Sequence, residues 1–221
     1  MLPAALHAVA ASSPLRILAF GDSLTAGWTS FSSGNTPGFA PHLQKALANH
    51  HPKVKAEVHA AGAPGRPASQ SLQPLQQELA SGNVDVCLIL LGANDLLPYF
   101  PAPPEHVVDG LIANLKAVHA AARHARSKTV ALGLLDHPMV AGQTGGPAAL
   151  KAINARIEQE VGADAYIDGA ALLSAGQHGA WSNDNIHLTD EGYAELGKHL
   201  SKPLAEALLS QRGAAEKTEI R

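Results

Sequence analysis

Two hydrophobic periods alternate along the chain. Apolar runs of five to eight residues stand at Leu15–Phe20, Val54–His59, Val84–Leu91, Thr129–Leu135 and Ala163–Ile167. Runs of that length, closed by turn residues, read as buried strands. Between them lie longer segments with helical spacing, Phe39–Asn49, Ala68–Ala80, Pro104–Ala125 and Pro147–Val161, and a last one covers Asp190–Gln211. Pro74 should start or kink the second of these. Five strands alternating with helices predict an α/β fold with a parallel sheet covered on both faces. Right-handed crossovers then wind it into a three-layer sandwich. Neither an internal repeat nor a linker interrupts the pattern. One domain is therefore expected over residues 15–211, with a frayed segment at 1–14 and a loose charged tail at 212–221.

The totals narrow the function. The 221 residues suffice for one substantial core. Apolar residues make up 46% and charged residues 16%, as in globular proteins. A net charge of −3 and the lack of a basic face argue against a nucleic-acid partner. The longest run of large apolar residues, Val86–Leu91, is too short to span a bilayer. Cys87, the only cysteine, sits inside that run and reads as a small core residue; no internal disulfide can form. Arg16 is the first Lys or Arg, so the apolar start lacks the basic end of a signal peptide. With the single cysteine, this favours a cytoplasmic setting. The 12 histidines invite a metal, but neither His50-His51 nor His119 with His124 has a zinc-ligand spacing. No metal is expected.

In a parallel sheet the strand C-termini share one edge, where ligands bind. The candidate chemistry lies past each strand. The first strand runs into Gly21-Asp22-Ser23-Leu24-Thr25-Ala26-Gly27. Ser23 stands where a nucleophile would, although Gly-Asp-Ser is also ordinary turn chemistry. Trp28 and Phe31, in a Ser/Gly-rich loop through Gly38, are candidate pocket walls. After the second strand comes Ala60-Ala61-Gly62-Ala63-Pro64-Gly65, where a missing Cβ lets the backbone approach a ligand and the Gly62 N–H can serve as an anion donor. After the third comes Gly92-Ala93-Asn94-Asp95, whose Asn94 amide suits either an oxyanion or a helix cap. Tyr99 and Phe100 follow in a stiff loop with Pro98, Pro101, Pro103 and Pro104. After the fourth, Asp136-His137-Pro138 leads into a Gly-rich stretch through Gly146 that reads as a mobile flap. His137 has no partner at catalytic spacing. After the fifth, Trp181-Ser182-Asn183-Asp184-Asn185-Ile186-His187 precedes a helix capped by Thr189 or Asp190. Asp184 lies three residues before His187, so one turn brings the carboxylate to the imidazole. That fixes the tautomer and leaves the other ring nitrogen free to take a proton from serine.

A nucleophile, two oxyanion donors, a base and its orienter thus fall on one sheet edge. In this combination the chain resembles the SGNH hydrolases, the GDSL family of esterases and lipases. The matching blocks are Gly21-Asp22-Ser23-Leu24, then Gly62, then Gly92-x-Asn94-Asp95, then Asp184-x-x-His187-Leu188. They span about residues 15 to 210. The family's glycine block commonly has Asn two residues before the Gly; Ala60 holds that place here.

The resemblance implies a flavodoxin-like α/β/α fold and hydrolysis of O-acyl esters of small molecules without a cofactor. It assigns Ser23, His187 and Asp184 to the triad, and Ser23, Gly62 and Asn94 to the oxyanion hole. Asp22, Leu24, Trp28, Phe31, Tyr99, Phe100, Trp181 and Ile186 are the candidate substrate-binding residues. The α/β-hydrolase fold is excluded, because Thr25 fills the second glycine of Gly-x-Ser-x-Gly. A nucleotide-binding module would need a Gly-rich phosphate loop, which is absent. A silent member of the family would not need the intact Ser23, Asn94, Asp184 and His187. With only 4% aromatic residues, a short acyl chain is expected. A carbohydrate acetate, a lysophospholipid and a thioester stay open as alternatives.

Overall fold

The computed structural model describes residues 13–30 and 34–219. Residues 1–12 of the expected frayed segment, and Phe31, lie outside them. Chain order gives β1 (Leu15–Gly21), α1 (Ser23–Ala26), β2 (Trp28–Ser30), β3 (Gly34–Asn35), α2 (Ala40–His50), β4 (Ala56–Gly62), α3 (Leu72–Leu79), β5 (Val86–Leu90) and α4 (Ala93–Leu96). It continues with α5 (Glu105–His124), β6 (Lys128–Leu132), α6 (Pro138–Ala141), α7 (Gly146–Glu160), β7 (Ala165–Ile167), α8 (Gly169–Leu172) and α9 (Asp190–Glu219).

Five parallel strands form the central sheet in the order β4-β1-β5-β6-β7, as in flavodoxin-like folds. Every residue of β5 is buried, as a central strand covered on both faces requires. Successive side chains alternate between the two covering layers. Ile17, Ala19, Leu88 and Leu90 face α2 and α9 through Phe39, Leu43, Leu196 and Leu200. Leu18, Phe20, Cys87 and Ile89 face α3, α5 and α7 through Leu75, Leu111, Leu115 and Ile153. Cys87 is a core residue, fully buried. The chain turns back after β4, so β1 and β5 flank the switch point where such sheets bind ligands.

The fold departs from the sequence reading in four places. The second strand ends at Gly62 instead of His59, because its register with β1 carries pairing through Gly21. The segment after Trp28 is not only loop: β2 and β3 pair antiparallel within it. The stretch after β6 is no loose flap. It folds into α6, buries Val140 and donates Met139 N to the Asn185 carbonyl at 3.0 Å. Pro74 starts its helix, as expected, since α3 begins two residues earlier and a first-turn residue needs no N–H. The last helix extends beyond Gln211, through Glu219.

Candidate active site

Asp22 closes β1 and caps α1, its Oδ1 accepting Leu24 N at 3.0 Å. Ser23 is therefore the first residue of a helical turn. Its N–H is one of the donors that no intrahelical carbonyl can reach. The side chain is almost fully covered, with 7% exposed.

The second half of the site is a tight loop ahead of α9. Ser182 N donates to the His187 carbonyl at 2.8 Å and Asn185 N to the Ser182 carbonyl at 3.0 Å. Asn185 takes a left-handed φ of 60°, a conformation Asn tolerates. Thr189 caps α9, its Oγ1 accepting Gly192 N at 3.1 Å. This loop turns Asp184 inward. Its Oδ1 accepts the Ser182 hydroxyl at 2.7 Å and the N–H groups of Ile186 and His187 at 2.9 Å each. Its Oδ2 lies 2.7 Å from His187 Nδ1. Burial pushes the Asp184 carboxyl up, but these hydrogen bonds outweigh it and hold the group at about 2. His187 Nε2 reaches Ser23 Oγ at 2.9 Å. A nucleophile-type hydroxyl, an imidazole and an ionised carboxylate thus form one relay.

Asn94 sits in α4, just past β5. Its amide donates to Asp22 Oδ2 at 3.3 Å and to the Arg66 carbonyl at 3.2 Å. Asp95 beside it accepts Ala68 N at 2.9 Å, tying α4 to the turn after β4. Asp22 is 1% exposed, and burial pushes its carboxyl up to about 7 against the Leu24 hydrogen bond, with Asp95 adding to the rise. Gly62 ends β4 beside Gly21. A Cβ there would meet Ala26 N at 2.1 Å, so only glycine lets α1 lie this close. Ala63 N donates to the Gly21 carbonyl at 3.1 Å, so the Gly62 N–H, one residue earlier, points away from β1. Arg66 N closes the following turn on the Ala63 carbonyl at 3.1 Å, which leaves the Gly65 N–H outside the turn's own bond.

The chain from residue 19 to 195 matches the model of the GDSL-like lipase/acylhydrolase family. It belongs to that family. No curated protein matches it significantly. Among solved structures, this GDSL-like chain is similar to the psychrotrophic esterase EstA from Pseudoalteromonas sp., at 21% identity and a TM-score of 0.68, over 87% of this chain and 98% of that one. A lipase from a goat rumen metagenome is 21% identical at a TM-score of 0.67, over 84% and 95%. An acetylxylan esterase from Geobacillus stearothermophilus is 18% identical at 0.62, over 86% and 94%. The GDSL-like protein is a carboxylic ester hydrolase, and its sheet is the one these structures share.

Ser23, Asp184, His187, Asn94 and Asp22 come together at the sheet edge, whereas Leu24, at 3% exposed, is core. Trp28 is half-buried, and its carbonyl accepts Tyr193 Oη–H at 2.6 Å. Trp181 and Ile186 are half-buried beside the relay. Phe100 packs on the core, and Tyr99 is exposed. His137 is buried; that burial lowers it to about 4, its Nδ1 has no partner, and its ring meets Trp181 edge-on at 6.4 Å. Sequence reasoning missed Ser182 and Arg66. Ser182 is signalled only by its place on the Asp184 turn. Arg66 is the one Lys, Arg, Asp or Glu between Glu57 and Glu78. Its guanidinium lies 4.9 Å over the Phe20 ring and donates to the Gly21 and Ala61 carbonyls at 3.3 and 3.4 Å. Among the described residues, no group of three or more His, Cys, Asp or Glu could hold a metal, and no helix is long and apolar enough to cross a membrane.

Proposed function

We propose that Ser23 is the nucleophile of a short-chain carboxylic ester hydrolase, with His187 as its base and Asp184 as orienter. The observation that carries this reading is the relay itself, 2.9 Å from Ser23 Oγ to His187 Nε2 and 2.7 Å from Nδ1 to Asp184 Oδ2. Ser23 Oγ attacks the acyl carbon while neutral Nε2 takes its proton. The charge on His187 is balanced by Asp184, which stays ionised. The acyl oxygen turns into an oxyanion held by the Ser23 N–H and the Asn94 amide. A further backbone donor comes from the Gly62–Arg66 segment. The strand-end position favours Gly62; the Asn94 bond to the Arg66 carbonyl favours Gly65, one residue before it. His187 then protonates the leaving alcohol, and water repeats the cycle on the acyl-enzyme.

The test is hydrolysis of p-nitrophenyl acetate, butyrate and octanoate by the wild type and by Ser23→Ala. Turnover is expected to be fastest on the two shorter esters and absent in the variant, with the fold intact by circular dichroism. Wild-type rates from Ser23→Ala would remove Ser23 as nucleophile. Preference for octanoate would replace the short-chain reading.

A further inference from the structure

A cleft of about 630 Å³ lies between the β2–β3 hairpin and the loop that leads into α9. Thr29, Asn35 and Pro37 line one side, and Trp181, Asn183 and Glu191 the other. Along the chain its two walls adjoin the two halves of the site, although neither Ser23 nor His187 lines it. The hairpin follows α1, which begins at Ser23. Ser182, also in the wall, bonds the Asp184 carboxylate through its hydroxyl. Tyr193 Oη–H ties the walls together through the Trp28 carbonyl. The volume falls within the usual range for small-molecule sites.

The lining sets the chemistry of an occupant. Hydroxyls and amides dominate, from Thr29, Ser30, Asn35, Thr36, Asn183 and Thr189. The flat apolar surfaces are Trp181 and Pro37. The described lining has no Lys or Arg and two carboxylates, Asp190 and Glu191. A phosphate-bearing group, as in a phospholipid or a coenzyme A thioester, would meet like charge there. A long acyl chain would need apolar walls, and among the described residues none of the exposed large hydrophobics, Leu72, Tyr99, Met139 and Leu209, lines the cleft. A sugar ring has hydroxyls at its edge for the amides and hydroxyls, and C–H faces for Trp181 and Pro37.

We propose that this cleft receives the alcohol part of the substrate and that this part is a neutral carbohydrate. The protein then removes a short acyl group from a sugar hydroxyl. This rests on the esterase reading above. The acyl C–O bond breaks, the sugar oxygen leaves with the proton from His187, and water supplies the oxygen of the released carboxylic acid.

The experiment measures acetate release by the full chain from partially O-acetylated xylo-oligosaccharides and from acetyl-coenzyme A, beside p-nitrophenyl acetate. It is repeated with Asn35→Ala and Asn183→Ala, both at exposed positions. Higher kcat/KM on the oligosaccharides than on acetyl-coenzyme A is expected. Each variant should lower kcat/KM on the oligosaccharides roughly 5-fold, the order of one lost hydrogen bond, with p-nitrophenyl acetate unchanged. Preference for acetyl-coenzyme A, or variants that lower both acetate esters equally or neither, would overturn the carbohydrate site. Absence of turnover on p-nitrophenyl acetate as well would instead remove the esterase reading beneath it.

Discussion

The Asp22 carboxyl and the Asn94 amide meet at 3.3 Å across 72 residues of chain. The Arg66 carbonyl takes the same amide nitrogen at 3.2 Å. These two acceptors fix the amide's place and take both of its N–H groups, so donation to an oxyanion requires that one of the two bonds, both long, be shared or given up. Asn94→Ala should lower kcat by roughly 10²–10³, the usual loss for one oxyanion donor, and leave KM nearly unchanged. Steady-state kinetics on p-nitrophenyl acetate measure this. A change confined to KM would assign Asn94 to substrate binding.

Asp22 also makes a stability prediction. Burial raises its carboxyl from 3.8 to about 7. Over that interval the folded protein keeps a proton that the unfolded chain has lost. The stabilisation is complete below the unfolded value and declines as pH rises towards 7. Asp22→Asn cannot titrate, yet keeps a side-chain oxygen for Leu24 N. Its altered contact with Asn94 is the same at every pH, so only the slope reports on Asp22. Thermal melts should show the variant gaining on the wild type between pH 4 and pH 8, by up to about 4 kcal/mol. A difference that stays flat with pH would mean that Asp22 does not titrate in this window.

Gly62 and Gly65 make opposite demands. A Cβ at Gly62 would sit 2.1 Å from Ala26 N and 2.6 Å from the Asp22 carbonyl, both backbone atoms that cannot swing aside. Gly62→Ala should therefore displace α1, and with it Ser23, lowering Tm and activity together. Gly65 has φ of 76° and open space around its Cβ position. Gly65→Ala should cost about 1 kcal/mol through its left-handed backbone alone. Gly65→Ala keeps the N–H, so kcat falls with the fold intact only if Gly65 supplies the backbone donor and relief of the left-handed strain turns that N–H away.

The sequence exposes elements whose signals are local. Leu15–Gly21 announces a strand by its apolar run, and Asp184 and His187 pair within one turn. A parallel sheet covered on both faces follows from strand–helix alternation, and a strand end is where a nucleophile gains access. Contacts set by tertiary packing leave no such trace. Nothing in the spacing of Asp22 and Asn94 says that their side chains meet, and the Arg66 carbonyl is invisible in a side-chain reading. The hairpin at Trp28–Asn35 escapes because β3 has only two residues, Gly34 and Asn35, which carry no alternation. The stretch after β6 misleads for the opposite reason. Its glycines suggest mobility, but Val140 is buried and Met139 N is bonded to Asn185. That brings His137 against Trp181 and stiffens the loop that carries Asp184.

The bonds around Asp184 separate its charge from its position. Four hydrogen bonds reach this carboxylate, and they hold it at about 2 against the upward push of burial. A carboxyl depressed in this way contributes stability above its unfolded value and loses it only as pH falls through about 2. Asp184 is thus ionised wherever the enzyme works, and His187 acts as the base only in its neutral form. Asp184→Asn removes the charge that balances the imidazolium, and kcat should fall on the order of 10⁴-fold, as for the matching change in a serine protease triad. Ser182→Ala leaves the charge and both backbone donors on Oδ1. Its kcat should fall far less. A loss as large as that of Asp184→Asn would mean that the Ser182 hydroxyl, and not the backbone of the turn, sets the carboxylate in place.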